Sequence, residues 1–73
     1  MNVGDIVIRR IPEKGAPRFA TAIEQRQSLG MGIVLSRHMA GWPAHLCLSV
    51  YYPAAGKIYD IAESLMEVVS ESG

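Results

Sequence analysis

Net charge is the first thing that this sequence lacks. Its seven basic and seven acidic side chains cancel, whereas nucleic-acid-binding domains depend on a strongly basic surface for their non-specific affinity. The cancellation is uneven, because residues 1–37 carry six basic and three acidic side chains and residues 38–73 carry one basic and four acidic ones. Nucleic acid is therefore a disfavoured partner, and the asymmetry could complement a charged protein or another copy of the chain.

Cysteine and long apolar runs are also scarce. The single cysteine, Cys47, cannot form an internal disulfide, and its place in an alternating apolar segment predicts a reduced, buried side chain. No apolar stretch approaches the roughly 20 residues of a membrane-spanning helix, and no secretory leader pattern opens the sequence. We therefore expect no membrane association and a location in the cytoplasm of the producing cell.

What the sequence does contain is a series of short β-type segments separated by turn signals. A turn signal at residues 3–5 (VGD) precedes the β-branched residues 6–8. Residues 53–56 (PAAG) form a turn by composition, and residues 62–64 make a brief connector that could be one turn of 3₁₀ helix. The predicted strands cover residues 6–10, 33–37, 45–52, 57–61 and 66–70.

The connection between the first two predicted strands is the longest in the chain. Residues 12–29 contain two prolines, one glycine and mixed charges, so we predict a long loop that holds at most one short helical turn near residues 21–26. Five short strands without a convincing amphipathic helix favour a small all-β barrel. The alternative is a three-stranded sheet that carries one helix from residues 16–28.

The order of these segments resembles an SH3-like barrel, and more narrowly the small SH3-like proteins of tailed bacteriophages. The residues that carry the resemblance are 3–7 (VGDIV), 30–35 (GMGIVL), 51–53 (YYP) with 56–57 (GK), and 65–71 (LMEVVSE). The resemblance implies a single small five-stranded SH3-like domain over residues 1–73, with a long first connecting loop. It also implies a non-enzymatic role, because members of such families serve as virion structural parts, adaptors and inhibitors of host proteins.

The function that this resemblance implies is a protein-interaction or assembly module. We expect a small phage structural protein that decorates or connects virion subunits, located in the producing cell or the virion. Its partner would be a viral structural subunit, or a second copy in a homo-oligomer. The alternatives are a phage-encoded regulator that binds and inhibits a host protein and, less favoured, a nucleic-acid-binding barrel.

The segment GMG at residues 30–32 is a candidate phosphate-binding loop. Such loops need further glycines, a Lys-Ser or Lys-Thr pair and a following helix, but here β-branched Ile33 and Val34 follow. The segment therefore predicts the start of a strand, where glycine permits a bulge, a positive φ or a close backbone approach. We expect Gly32→Val to impair folding rather than a specific binding step.

Metal binding and catalysis have little support in the sequence. His38, His45 and Cys47 lack the fourth ligand and the short knuckle of a structural zinc site, and we expect the two histidines to face each other across a hairpin as solvated strand ends. A thiolate at Cys47 would be costly among aliphatic neighbours. We therefore expect no metal, no cofactor and no enzymatic activity.

Surface side chains are the remaining candidates for function. In an SH3-like barrel the long first connection and the loop after the second strand would lie at one end and frame a groove. The candidate partner contacts are Arg18, Phe19, Trp42, Pro43 and Tyr52. Exposed Trp, Tyr and Arg side chains dominate the energetics of protein interfaces. The alternative role for Phe19 and Trp42 is to fold back and cap an open end of the barrel.

Overall fold

Five strands and one helix make up the fold in the computed structural model, which describes residues 1–71. The elements in chain order are β1 (Ile6–Arg9), α1 (Phe19–Leu29), β2 (Gly32–Ala40), β3 (His45–Tyr52), β4 (Lys57–Ala62), a 3₁₀ turn (Glu63–Leu65) and β5 (Met66–Ser70). The strands form one antiparallel sheet in the order β4-β3-β2-β1-β5. The predicted class, a small fold dominated by β-strands, is confirmed.

The predicted strand positions agree closely with the structure. β3 and β5 have the predicted bounds, while β1 ends one residue earlier and β4 one residue later than predicted. β2 differs most, because it continues past its predicted end. Pairing of Met39 with Leu46 and of Ala40 with His45 carries the ladder between β2 and β3 to a turn at residues 41–44.

One apolar cluster on the inner face of the sheet forms the core. Its buried side chains are Val7, Val34, Leu48, Val50, Tyr52 and Met66. Alternation along β3 puts every second side chain from residue 48 to residue 52 on this face. β1 contributes Val7 together with the charged Arg9, so that Ile6 and Ile8 lie on the outer face. β1 therefore carries apolar side chains on both of its faces.

The two glycines of the GMG segment have different structural roles. Gly30 follows α1 in a left-handed conformation with φ +66°, which ends the helix at a residue without a Cβ atom. Gly32 begins β2 against β3, where an added Cβ atom would overlap Val50 Cγ1 and lie 3.1 Å from the Tyr51 carbonyl oxygen. The prediction that this segment starts a strand is confirmed.

The connection between β1 and β2 contains a longer helix than the sequence predicts. α1 has 11 residues, so the predicted long loop is reduced to the residues that precede the helix. The helical signal is weak because Ala22 is the buried residue of α1, and a single small side chain leaves no broad apolar stripe. The three-stranded alternative has a helix in this region but too few strands.

Arg9 is a charged residue buried on the inner face of β1, with 6% of its surface exposed. Its Nε donates a hydrogen bond of 3.1 Å to Gln25 Oε1 in α1. Its Nη1 donates to the main-chain oxygens of Arg10 (2.9 Å) and Leu65 (3.0 Å). Burial, together with the charges of Arg18 and Arg10, lowers the pKa of Arg9. One side chain thus links β1, α1 and the 3₁₀ turn.

Close packing at Gly32 predicts a stability loss with a specific second-site rescue. Gly32→Ala should lower the free energy of unfolding by about 1–3 kcal/mol, and Gly32→Val by more, because the added atoms overpack against Val50. Adding Val50→Ala makes room, so the double variant should lose at least about 0.5 kcal/mol less than the sum of the single losses. Urea unfolding followed by circular dichroism measures these values.

Gly56 provides the matched control for this experiment. A Cβ atom at Gly56 meets no atom within 4 Å, so Gly56→Ala costs only the strain of its left-handed backbone. The losses from Gly56→Ala and Val50→Ala should therefore add. Additive losses for the Gly32 and Val50 pair as well would contradict close packing as the reason for glycine at position 32.

The buried Arg9 side chain predicts a large difference between two neighbouring arginines. Arg9→Ala should lower the free energy of unfolding by about 3 kcal/mol, because it leaves a cavity and removes the donor to Gln25 Oε1 and to the Arg10 carbonyl oxygen. The Leu65 carbonyl oxygen keeps the hydrogen bond from the Arg10 main-chain N–H. Arg10→Ala changes an exposed side chain and should alter stability by about 0.5 kcal/mol or less. Similar losses in urea unfolding would contradict the linking role of Arg9.

Candidate interaction surfaces

Trp42 lies at the end of the β2–β3 hairpin with 99% of its surface exposed. Pro43 follows it in the same turn and is also exposed. Met39, which precedes the turn in β2, has 61% of its surface exposed. The hairpin therefore ends in uncovered apolar side chains, and Trp42 does not cap the core.

Arg18 and Phe19 lie together at the start of α1. Arg18 is exposed at the N-cap position, and Phe19 is half-buried as the first helical residue. The positive charge of Arg18 contributes to the lowered pKa of Arg9. Among residues 1–71, no hydrogen bond, ion pair or ring contact joins this pair to Trp42 or Pro43.

Tyr52 lies in the core, where 1% of its surface is exposed. Its ring packs edge to face against Tyr59, with ring centroids 6.0 Å apart. The phenol oxygen is buried without a hydrogen-bond partner among residues 1–71. The prediction that Tyr52 contacts a partner is therefore not supported, because its side chain is buried. Alternation along β3 turns Tyr52 inward and its neighbour Tyr51 outward.

Strand register brings four apolar side chains into one row on the outer face of the sheet. Ile6 pairs with Ile33, Ile33 pairs with Tyr51, and Tyr51 pairs with Ile58. Paired residues of antiparallel strands project from the same face, so these side chains are neighbours. Their exposure increases toward β4, reaching 37% at Tyr51 and 60% at Ile58. We call this set the outer row.

An apolar pocket lies beside the outer row, at the end of the sheet where β2 begins and β3 finishes. It has a volume of about 320 Å³ and is lined by Ile6, Met31, Gly32, Ile33, Pro53 and Ala54. None of these six residues carries an ionisable side chain. Met31 has 53% of its surface exposed at the pocket. Neither Met31 nor Ile58 was among the predicted partner contacts, because a single apolar residue in a sequence carries no sign of whether it is exposed.

A second, larger groove of about 470 Å³ lies between α1 and β4. Gln25 and Leu65 line it, and both also accept hydrogen bonds from Arg9. Asp60 lines it from β4 and accepts a 2.7 Å hydrogen bond from the Ser49 hydroxyl. The groove therefore has a partly polar lining, and some of its polar atoms are hydrogen-bonded within the protein.

The histidines and the cysteine take positions that differ from the expected arrangement. His38 pairs with Cys47 and His45 pairs with Ala40, so the two histidines do not face each other across the hairpin. Cys47 is a free, buried cysteine with 7% exposure, as predicted. Residues 1–71 contain no group of three or more His, Cys, Asp or Glu side chains arranged to hold a metal ion.

Comparisons with protein-family models, curated proteins and solved structures found no match for this chain. Within the described part of the chain, α1 is too short and too polar to cross a membrane, and no other helix could do so. The assignment of a role therefore depends on the surfaces themselves.

The buried phenol of Tyr52 predicts a pH-dependent difference from its phenylalanine variant. Tyr52→Phe removes an unpaired hydroxyl and should leave the free energy of unfolding at pH 7 unchanged or raised. Burial raises the pKa of Tyr52, and the positive charge of Arg9 offsets this only in part. The unfolded chain then releases the phenol proton more readily, so wild-type stability should fall as the pH rises above about 10.

Tyr52→Phe should not show this part of the alkaline loss. Tyr51→Phe, which changes an exposed phenol on the same strand, is the matched control and should follow the wild type throughout. Urea unfolding at a series of pH values measures the three proteins. A Tyr52→Phe curve parallel to the wild type above pH 10 would contradict a raised pKa at this site.

Proposed function

We propose that this chain is a non-enzymatic protein-interaction or assembly module built on an SH3-like barrel. In this proposal it serves as a small structural protein of a tailed bacteriophage that decorates or connects virion subunits. The observation that carries the interaction role is the exposure of Trp42, which has 99% of its surface in solvent at the end of a hairpin. Tryptophan is the side chain type most enriched among the dominant contacts of protein interfaces.

The exposed apolar surface extends beyond a single side chain. The outer row and the apolar pocket add Met31, Tyr51 and Ile58 to the solvent-facing apolar groups. Isolated surface hydrophobes are ordinary, whereas a contiguous row and a pocket together are typical of interaction sites. The protein thus has two exposed apolar surfaces. One is the hairpin end with Trp42, and the other is the outer row with the apolar pocket.

The strand pairing of β2 is the observation that supports the SH3-like part of the proposal. The start of β2 pairs with β1 and its whole length from Ile33 pairs with β3, so one strand belongs to both halves of the sheet. Its register with β3 shifts between Val34 and Ser36, and such bulges bend a strand and let a sheet curl. The bacteriophage assignment is supported by the sequence resemblance of residues 3–7 and 30–35.

Site-specific photocrosslinking tests the interaction role. Trp42 is replaced by a benzophenone amino acid in cells that produce the protein, and crosslinked products are identified by mass spectrometry. We expect a discrete protein adduct from position 42, because this side chain is exposed at the proposed interface. Position 14, an exposed lysine in the loop before α1, is the control and should give none. Mass spectrometry of purified virions tests the structural role.

Each result of this experiment bears on a different part of the proposal. Absence of any adduct from position 42 would contradict a protein-interaction role for the hairpin. An adduct with a host protein, and none in virions, would replace the structural role with host regulation. Crosslinking to nucleic acid would contradict the protein partner altogether.

A further inference from the structure

We infer that copies of this chain associate head to tail, with Trp42 of one copy bound in the apolar pocket of the next. The inference rests on the proposed function, and it names the partner as a second copy of the chain. The pocket is the one lined by Ile6, Met31, Gly32, Ile33, Pro53 and Ala54.

Trp42 is suited to enter a pocket on another molecule. Its side chain is solvent-exposed on all sides, at 99% of its surface. Residues 39–44 (MAGWPA) contain no ionisable side chain, and the ionisable side chain nearest to the turn is His45, whose ring lies beside Gly41 and Pro43. The hairpin therefore presents a large aromatic ring within a segment of uncharged residues.

The apolar pocket matches this ring in charge and chemistry. Its lining residues are all uncharged, and its volume of about 320 Å³ lies at the lower end of the range for pockets that hold small ligands or single side chains. The larger groove beside α1 is a poorer site for an indole, because Gln25, Ser28 and Asp60 line it. An indole has a single N–H donor, so covering Gln25, Ser28 and Asp60 with it costs more desolvation than covering an apolar lining.

The two surfaces lie at opposite ends of the β2–β3 hairpin. Gly32 at the pocket begins β2, and Trp42 follows the end of that strand. Nine residues of extended strand span about 30 Å, close to the longest dimension of the molecule, 34 Å. Trp42 therefore cannot reach the pocket of its own chain. A contact between unlike ends of identical molecules builds rings or filaments rather than two-fold dimers.

The area available limits the strength of one such contact. A buried tryptophan contributes about 150–250 Å², whereas a stable interface buries about 800 Å² on each partner. Met39 beside the tryptophan, with Tyr51 and Ile58 beside the pocket, can add to the covered surface. We therefore expect association that depends strongly on protein concentration and that ring closure strengthens.

Complementary variants provide a direct test. Trp42→Ala keeps the pocket and loses the ring, whereas Met31→Glu keeps the ring and places a charge at the pocket. Each variant alone should be monomeric in sedimentation velocity at concentrations where the wild type associates. Mixed together, they should form a one-to-one complex, since one supplies the indole and the other the pocket. This complex should need higher protein concentrations than wild-type association, because a single contact cannot close a ring of subunits.

Fluorescence gives this mixture a clean signal, because Trp42 is the only tryptophan. Titrating the tryptophan-free Trp42→Ala protein into Met31→Glu should shift the emission to shorter wavelength. The double variant Trp42→Ala with Met31→Glu is the control titrant and should cause no shift. Leu35→Glu changes an exposed apolar residue of β2 that lies outside the pocket, and this variant should associate like the wild type. Circular dichroism verifies that each variant is folded.

The outcomes separate this inference from the proposed function. A wild type that stays monomeric, or a mixture that shows neither shift nor complex, would overturn head-to-tail association. So would self-association that persists in Trp42→Ala, because it would place the interface elsewhere. A photocrosslink from position 42 to a different protein would also overturn the inference while leaving the interaction role intact. An adduct between two copies, joined from position 42 to the pocket, would support both.

Discussion

The structure depends most on the burial of one guanidinium group. Arg9 occupies an inner-face position that an aliphatic side chain would ordinarily fill, and it uses that position to hold Gln25 of α1 and the carbonyl oxygen of Leu65. The other contacts between α1 and the sheet are the buried Ala22, Leu29 packed against the core, and an exposed ion pair between Arg26 and Glu67. In a small domain with few core side chains, such a polar link replaces apolar area that the chain does not have.

The sheet has apolar side chains on both faces. The side chains of the inner face form a core of six buried residues. The outer row and the pocket lie on the other side of the same strands and remain in solvent. A partner that covers the outer face would form a second layer against the sheet, so that both faces of the sheet are buried. The interaction role and the fold therefore share the same strands.

The strands could be predicted from the sequence because turn residues and β-branched runs mark them locally. The helix could not, since a helix that buries one alanine has almost no apolar periodicity to detect. Adjacent tyrosines at 51 and 52 show a second limit. Alternation requires that one be inside and the other outside, but only the pairing register decides which. The sequence alone therefore predicts Tyr52 as a surface contact, whereas Tyr51 is the exposed one of the two in the structure.

The candidate site shows the same division between local and non-local information. Trp42 could be singled out by its residue type and by the turn that contains it, although its exposure depends on the lack of any neighbour that covers it. The pocket could not be foreseen, because β1, β2 and the turn after β3 each contribute part of its lining. Arg9 was equally hidden, since an arginine at the end of a strand is usually solvated.

The direction in which the hairpin points is set far from its tip. The register shift between Val34 and Ser36 leaves Leu35 as an extra residue in β2, and everything beyond it is turned relative to the start of the strand. Deletion of Leu35 would change the direction in which Trp42 projects without altering the turn at residues 41–44. Evolution could thus redirect the protein toward a differently placed neighbour through the length of one strand, while the tip and the core both stay as they are.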